Sequence, residues 1–336
     1  MRAYFNKNFT GTADQIRALQ YSGHDVVVSH TDPAHAMLDA ARGCGMTAIV
    51  EPRNLETALY LDYIANLLRE QRIDAFIPGK LAEQFAEQRG RFPQAIVPAD
   101  PHTLRLINNK ARFLADWPQS LLPLPRWQVF HSLEQFDAAR ADLAREGVRL
   151  CMKPAEGIYA SGFRMLSDTP RVTTFLKGEL YEMSTAAARE MIAAAETWPE
   201  YLLMHTLPGD ERSVDCAALN GELLGCVVRR KTSQDQVIEL RPDLVAVARA
   251  MARRYHLSGL FNFQTRDDRA GTAHLLEINT RASGGIRNAL ASGVNLPGLL
   301  LDAVSGVQRP DVVTPAQVMH VREDKRARRV REPHAH

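Results

Sequence analysis

The sequence predicts two architectures in tandem: an α/β region built on a parallel sheet, then an α+β region dominated by antiparallel strands. Three observations carry this reading. Over residues 1–107, short apolar runs alternate with helical stretches, the βαβ pattern of a parallel sheet covered on both faces. A proline-rich break, with Pro118, Pro123 and Pro125, then marks a boundary. Beyond it, runs of strand-forming residues are joined by hairpin signals such as Asn220-Gly221. At 336 residues, 45% hydrophobic and 24% charged, the chain has the length for two or three domains and the composition of a globular protein.

Strands are expected near 2–5, 25–29, 48–51, 74–78 and 95–98, with helices near 14–21, 34–41, 55–71 and 81–88. Loops after such strands face the ligand side of a parallel sheet, which draws attention to 6–11 and to Gly79 and Lys80. One helix is expected over 102–116. Ser132 and Gln135 form a capping box for another that ends near Gly147. A strand over 148–153 runs into PAEGIYASG, and strands over 201–206, 212–219 and 222–230 follow. Pro242 opens a helix to about residue 255. The tail from Arg322 holds six Lys/Arg and three Asp/Glu in fifteen residues and reads as a basic, solvated or loosely docked end.

Several function classes are argued against. No apolar run approaches the ~20 residues that span a bilayer, and MRAYFNKNFTGTADQIRAL is too polar for a signal peptide. Cys44, Cys151, Cys216 and Cys226 form no CxxC pair, so neither a zinc ribbon nor a disulfide framework is indicated, and a cytoplasmic setting is expected. A net charge of +2 gives no support for nucleic acid as partner. After the first strand stands NKNFTGTAD, with a single glycine, where a dinucleotide-binding oxidoreductase needs GxGxxG. Lysine is scarce, seven among 41 basic residues, so a lysine inside a motif hints at a need for a compact point charge; a general bias towards arginine explains the ratio equally well.

The most informative stretch is HLLEINTRASGG at 274–285, read with FNFQT at 261–265. On a strand, Glu277 and Asn279 point one way, and Leu276 and Ile278 the other. Asn262 and Gln264 alternate with Phe261, Phe263 and Thr265, and 267–271 supplies turn residues. Such a hairpin gathers one carboxylate and several amide oxygens on one face, with Arg281 at its end. Oxygen-only ligands of this kind suit Mg²⁺ held against phosphates rather than zinc or iron. A buried polar strand pair at an interface is the alternative. Lys153 ends a strand beside a loop with Gly157 and Gly162, whose freedom lets backbone N–H groups approach phosphate oxygens. An ordinary glycine turn with a surface lysine accounts for the same residues. Lys110 alone reads as a solvated lysine on an amphipathic helix.

Taken in order, these pieces resemble an ATP-grasp enzyme over about 100–305, and the region before it resembles the pre-grasp domain of that fold. INNKARFL at 107–114 is similar to the helix bearing the first nucleotide lysine, Lys110. LCMKPAEGIYASGFRML at 150–166 resembles the strand, lysine and glycine loop over the phosphates. YLLMHTLPGDERSVD at 201–215 resembles the adenine hinge followed by the ribose acid. The Gln…Glu-x-Asn-x-Arg pattern of the hairpin is closest to the carbamoyl-phosphate-synthase branch. There is a looser likeness to ATP-grasp proteins associated with bacterial tellurium-resistance operons.

The resemblance implies a Rossmann-like pre-grasp domain at 1–107, ATP-grasp subdomains at 108–204 and 205–321, and the tail 322–336. ATP and Mg²⁺ (or Mn²⁺) are the implied cofactors. Lys110, Lys153, Gly157, Gly162 and Arg281 would contact nucleotide phosphates. Met204, His205 and Leu207 would frame the adenine by their backbone, although family members often carry an acidic residue where Met204 stands. The His205 side chain itself reads as packed. Glu211, with Asp210 next in line, would hold the ribose diol, and one of Arg229, Arg230 and Lys231 would reach a phosphate while the others stay in water. Glu277 would bridge two metal ions with Gln264 and Asn279 as neutral ligands. Arg281 and Lys153 would be catalytic, and Lys80, Ser283, Gly284, Gly285 and Arg287 would face substrate, with Asn288 alongside. The implied reaction activates a carboxylate as an acyl phosphate for attack by an amine or related nucleophile. A phosphotransferase that stops at the phosphorylated product and a nucleotide-binding regulator are the alternatives. Expected partners are small molecules, with a homodimer allowed and neither nucleic acid nor membrane expected. The loop 155–162 is expected to order on nucleotide.

Overall fold

The structure is a computed structural model that describes residues 1–157, 161–168 and 181–324. The chain opens with four parallel strands, β1 (Arg2–Phe5), β2 (Asp25–His30), β3 (Thr47–Val50) and β4 (Ala75–Ile77), in the order β3-β2-β1-β4. Alternate residues feed two cores, as the period of a strand dictates. Ala3, Phe5, Val26 and Val28 pack under α1 (Thr12–Ala18) and α2 (Ala36–Gly43). Tyr4, Val27 and Phe76 pack under α3 (Thr57–Glu70) on the other face. The strand expected at 95–98 is reduced to one bridge, Ala95 to Phe76. Pro93 and Pro98 bracket the segment and lack the N–H groups that would extend the ladder.

After α4 (Ala82–Glu87), the expected single helix over 102–116 is two, α5 (Pro101–Asn108) and α6 (Lys110–Asp116). Asn109 breaks them, with extended backbone at φ −98° and ψ 110°. Its side chain caps α6 by accepting from the Arg112 N–H at 3.0 Å and donates to Glu200 at 2.7 Å. The break frees the Lys110 N–H, which donates to Ala155 O at 2.8 Å. A continuous helix would have spent that donor internally.

A second sheet holds β5 (Trp127–Phe130), β6 (Leu150–Pro154), β7 (Arg164–Ser167), β8 (Glu182–Ser184) and β9 (Tyr201–His205) in the order β5-β9-β6-β7-β8. Helices α7 (Leu133–Leu143) and α8 (Thr185–Ala194) pack on it through Phe136, Ala188 and Ile192. Ser132 caps α7 at the Gln135 N–H, and the returning Gln135 amide oxygen takes the N–H of His131, one residue earlier than a capping box requires. Of the expected phosphate loop, residues 158–160 lie outside the described residues, and so does the tail over 325–336.

The third sheet has the order β14-β13-β10-β11-β12-β15, formed by β10 (Glu211–Leu219), β11 (Glu222–Lys231), β12 (Gln236–Glu239), β13 (Gly259–Asp267), β14 (Ala273–Asn279) and β15 (Met319–Val321). The β10–β11 hairpin turns on Asn220 and Gly221, both at positive φ (50° and 84°), as their pairing in the sequence predicts. One face, with Val214, Phe261, Phe263 and Ile278, is buried under α5, α6 and α9 (Pro242–Arg254). Helices α10 (Ile286–Leu290) and α11 (Leu296–Val304) close the end of the fold. Among the described residues no helix is long and apolar enough to cross a membrane.

Asn109→Ala should destabilise the protein by about 1–2 kcal/mol through loss of the cap, whereas Asn108→Ala on the exposed side of α5 should stay within ~0.5 kcal/mol. Urea unfolding followed by tryptophan fluorescence measures both.

Candidate active site

The ladder between β13 and β14 sets Asn262 opposite Asn279 and Gln264 opposite Glu277. On the far side of β13, Asp215 and Ser213 of β10 face the same two positions. Directly opposed residues share a face, so these six side chains form one polar surface, back to back with the Val214, Phe261, Phe263 and Ile278 core. Asn279 Nδ2 donates to Glu277 Oε1 at 3.3 Å and to Asn262 Oδ1 at 3.4 Å. Asn262 is 1% exposed, and its amide donates to the Arg281 carbonyl at 2.9 Å. Asn262 thus anchors the backbone that presents Arg281. The parity it shares with Gln264 was the signal for this role, which the sequence reading left unassigned.

Two lysines reach this surface from other elements. Lys153 leaves β6 and donates to Leu276 O at 3.0 Å, which ties the second sheet to the strand that carries Glu277. Lys110, at the first position of α6, donates to Gly157 O at 2.8 Å. Burial pulls the Lys110 ammonium below the ordinary lysine range; Glu277 pulls it back up, Lys153 and Arg281 push it further down, and Glu156 raises it. Lys110, Lys153 and Arg281 therefore share one electrostatic neighbourhood around Glu277. Three cations gathered in a partly buried site are stabilised further by a polyanion.

A cavity of about 420 Å³ opens beside these groups, walled by Lys110, Asn279 and Arg281, by the carboxylates Glu83 and Glu156, and by Phe9, while Lys153 and Glu277 stand behind its wall. A smaller one, about 140 Å³, shares Phe9, Gly79, Thr280 and Arg281 and extends to Gln15 and Ser283. The Arg281 guanidinium stands 5.4 Å from the centre of the Phe9 ring, between the two.

Other expected residues go elsewhere. The His205 ring donates its Nε2–H to Leu143 O at 3.0 Å, away from the cavity, as a packed histidine should. Its backbone N–H donates to Arg126 O at 2.9 Å and that of Thr206 to Arg149 O at 2.7 Å, so these two donors are spent within the protein. Met204 is buried on β9 and Leu207 follows the strand, nearly buried. Glu211 pairs with Lys231 and lies 3.7 Å from Arg266. Arg230 is held by Glu239 at 2.5 Å. The expectation that one of the three cations at 229–231 meets phosphate while the rest stay in water gives way for Arg229. It is 2% exposed and donates to Asp215 at 2.6 Å and to Ser283 Oγ at 2.9 Å. A buried guanidinium demands such partners. It lies so close beneath Gly285 that a Cβ there would come within 2.6 Å of its nitrogen. Gly285 and Ser283 therefore rest on Arg229, with Gly284 between them. Arg287 is exposed and bonds Asp14 at 3.1 Å, Asn288 bonds Glu323 at 2.9 Å, and Lys80 stands at the end of β4. Gly162 lies close to Pro154 and Tyr201.

Among the described residues no group of three or more His, Cys, Asp and Glu forms a metal cluster. The oxygen set on the hairpin, one carboxylate from Glu277 with the amides of Gln264 and Asn279, fits Mg²⁺ when phosphates complete the shell, and is too poor in charge to hold the ion alone.

Residues 197–327 match the family model described as "ATP-grasp in the biosynthetic pathway with Ter operon". No curated protein matches the chain in sequence. Among solved structures, the biotin carboxylase domain of the Hydrogenobacter thermophilus 2-oxoglutarate carboxylase, a dimer in complex with MgADP, ADP and bicarbonate, superposes with a TM-score of 0.67 at 16% identity, covering 93% of this chain and 71% of that one. N5-carboxyaminoimidazole synthetase from Staphylococcus aureus, complexed with ADP, gives 0.63 at 12% identity over 92% and 78% of the two chains. The L-amino acid ligase from Bacillus licheniformis gives 0.59 at 15% identity over 94% and 78%. At these identities the likeness speaks for the fold.

The lowered Lys110 ammonium has a measurable consequence. Phosphates placed beside it favour the charged form, so binding of MgADP should draw a proton onto Lys110 as pH rises from its lowered value towards the ordinary 10.5. Calorimetric titration in buffers of different ionisation heat should show proton uptake on MgADP binding that grows as pH rises towards 10.5, and loss of that uptake in Lys110→Met. Affinity should weaken as pH climbs through the same window.

Proposed function

We propose that this chain, an ATP-grasp protein by its fold and by the family signature over residues 197–327, is an ATP-dependent ligase that activates a carboxylate as an acyl phosphate. The observation that carries the proposal is the meeting of Lys110, Lys153 and Arg281 from separate elements around the one carboxylate of the hairpin, Glu277. A carboxylate oxygen of the substrate attacks the γ-phosphorus and the bond to the β-phosphate oxygen breaks, leaving ADP. An amine or related nucleophile then forms a bond to the acyl carbon, inorganic phosphate leaves, and the amine proton passes to solvent.

Phosphoryl transfer asks the protein for position and charge neutralisation more than for covalent chemistry. Lys110 and Lys153 supply point charges to the phosphates. Arg281, with its backbone held by Asn262, presents a planar fork to the transferring group. Bound Mg²⁺ or Mn²⁺, held by Glu277 with Gln264 and Asn279, would neutralise charge on the phosphates. Glu211 offers its carboxylate to a ribose diol once released from Lys231 and Arg266; such half-exposed pairs are worth only about 0–1 kcal/mol, so the exchange is cheap. The smaller cavity beyond Arg281 supports ligation over simple phosphorylation, because it leaves room for a second reactant beside the phosphoryl group.

The deciding experiment is an ADP-release screen over carboxylates and amines with hydroxylamine as trap. A hydroxamate supports the ligase; ADP release with a stable phosphorylated product and no hydroxamate would make the protein a phosphotransferase. Mg²⁺ alone should leave the melting temperature unchanged, while MgADP at 100-fold its Kd should add about 2.7 kcal/mol of stability.

Glu277→Gln should lower turnover by about 10²–10³ with a modest loss of ADP affinity, since it keeps the shape and removes the charge. Arg281→Lys should behave similarly. His205→Ala, remote from the cavity, should keep the chemical step nearly intact. Full turnover in Glu277→Gln together with a dead His205→Ala would show that the hairpin is not the reaction centre.

A further inference from the structure

The first sheet carries a feature that the nucleotide site does not use. From β1 the chain crosses outward to β2 and β3, then returns to β4 on the opposite side of β1. The carboxyl ends of β1 and β4 therefore diverge into a crevice at a topological switch point, where open parallel sheets take their ligands. Here the crevice is built rather than incidental. Asn6 is fully buried at the end of β1; its amide oxygen accepts the Gly79 N–H at 2.6 Å, and its amide nitrogen donates to Tyr60 Oη at 2.9 Å. Gly79 touches the opposing loop so closely that a Cβ would lie 2.6 Å from Lys7 O and Asn8 Cγ. Lys80 then donates its N–H to Lys7 O at 3.1 Å, which locks the two loops together.

Four donor side chains converge at this end of the sheet. The Lys7 ammonium lies 3.5 Å over the Tyr60 ring, and that of Lys80 5.9 Å from the Phe9 ring, whose other neighbour is Arg281. His30, the last residue of β2, and His35, the cap of α2, stack with ring centres 3.7 Å apart and planes 9° from parallel. Each accepts a backbone N–H at Nδ1, from Asp32 at 2.9 Å and from Met37 at 3.4 Å, so the proton of each neutral ring sits on Nε2. Burial holds both imidazoles below their ordinary value; Lys80 and Lys7 add to this at His30, and His30 and Lys80 at His35, against the opposing pull of Asp32. Three carboxylates act on the cluster: Glu51 on Lys7, Asp32 on both imidazoles and Asp39 on His35. Glu51 is 2% exposed and spends one oxygen on Ser29, Tyr60 and the Lys7 N–H, beneath the crevice, while Asp32 is exposed and caps the Ala34 N–H. Among the described residues no carboxylate forms an ion pair with the Lys80 ammonium.

The scarcity of lysine gains a meaning here. Of the five described lysines, Lys110 and Lys153 attend Glu277, and Lys7 and Lys80 attend the crevice. Asn8, Phe9 and Gly79, from the same two loops, also wall the smaller cavity beside Arg281. One phenyl ring thus separates the crevice from the reaction centre.

We propose that the switch-point crevice is an anion subsite in which Lys80, Lys7 and the Nε2–H groups of His30 and His35 hold a carboxylate or phosphate group of the substrate, remote from its reacting end. That the bound molecule is a substrate rests on the ligase reading; that the crevice binds an anion does not. The substrate class is accordingly an acidic molecule with a second anionic group, one end at Arg281 and the other past Phe9.

Histidine side-chain NMR of the full chain, saturated with MgADP to occupy the nucleotide site, tests this. His30→Gln and His35→Gln assign the two signals. Inorganic phosphate and succinate are titrated separately at constant ionic strength. At least one should shift both signals saturably, and which one does so names the anion class. Lys80→Met should weaken that titration about tenfold, as expected for a lost charge-assisted contact, and Lys80→Arg should restore most of it. Lys80 is exposed, so neither variant threatens the fold. Signals that move with neither anion, or a midpoint unchanged in Lys80→Met, would overturn the subsite. The melting temperature of the same samples with and without MgADP reports the nucleotide site separately. A saturable, Lys80-dependent anion response in a protein indifferent to MgADP would uphold the subsite and discard the ligase reading.

Discussion

The pairing of β13 with β14 is the constraint on which the site depends. Gln264 meets Glu277 and Asn262 meets Asn279 because one register holds from Asn262 to Gln264, before a bulge at Leu276 shifts the ladder. A slip of a single residue would turn Glu277 and Asn279 towards the core and take Ile278 out of it. The apolar half of the same strands makes that slip costly. Phe261, Phe263, Leu275 and Ile278 are locked into the core shared with α5, α6 and α9, so hydrophobic burial on one face fixes the chemistry presented by the other.

The other elements are fastened to this hairpin by few and specific bonds. Lys153 reaches across from the second sheet to Leu276 O, and Asn262 holds the Arg281 carbonyl. Below the Ser283–Gly285 loop, Arg229 and Asp215 form an ion pair almost without solvent contact. Burying that pair costs desolvation that its attraction only partly offsets, so its retention is better explained by position than by stability. It gives the loop a rigid polar floor that an apolar pair could not, since the loop must hydrogen-bond through Ser283. The electrostatic balance at the cavity follows from the same assembly. Three cations, Lys110, Lys153 and Arg281, meet Glu277 and Glu156 there, and burial, the first cause, lowers the affinity of Lys110 for a proton.

Much of this was legible in the residues. Alternation of Asn262, Gln264, Glu277 and Asn279 with apolar partners announced a two-faced hairpin, but the expected core partner Leu276 is bulged out of the ladder and Leu275 takes its place in the core beside Ile278. The Asn220-Gly221 turn and the Ser132 cap fell where short-range stereochemistry places them. Other features were hidden because their causes are long-range. The break at Asn109 depends on Glu200, Glu156 and Ala155, none of them nearby in sequence. The segment 95–98 has a strand's composition, and its prolines leave it a single bridge. Arg229 looked like its neighbours Arg230 and Lys231, and only the fold distinguishes a buried cation from two that sit nearer water.

The sequence by itself determined the order and type of the main elements, the two-faced hairpin, and the residue types able to meet phosphate and metal. These depend on local periodicity and side-chain chemistry, which act over a few residues. Tertiary structure alone decided which cations converge. Lys110, Lys153 and Arg281 lie on elements far apart in the chain, and Lys7 and Lys80 meet only because β4 returns beside β1. Coulomb interactions fall with distance in space and are indifferent to distance in sequence. No local pattern encodes which charges will share a cavity until the sheets have packed.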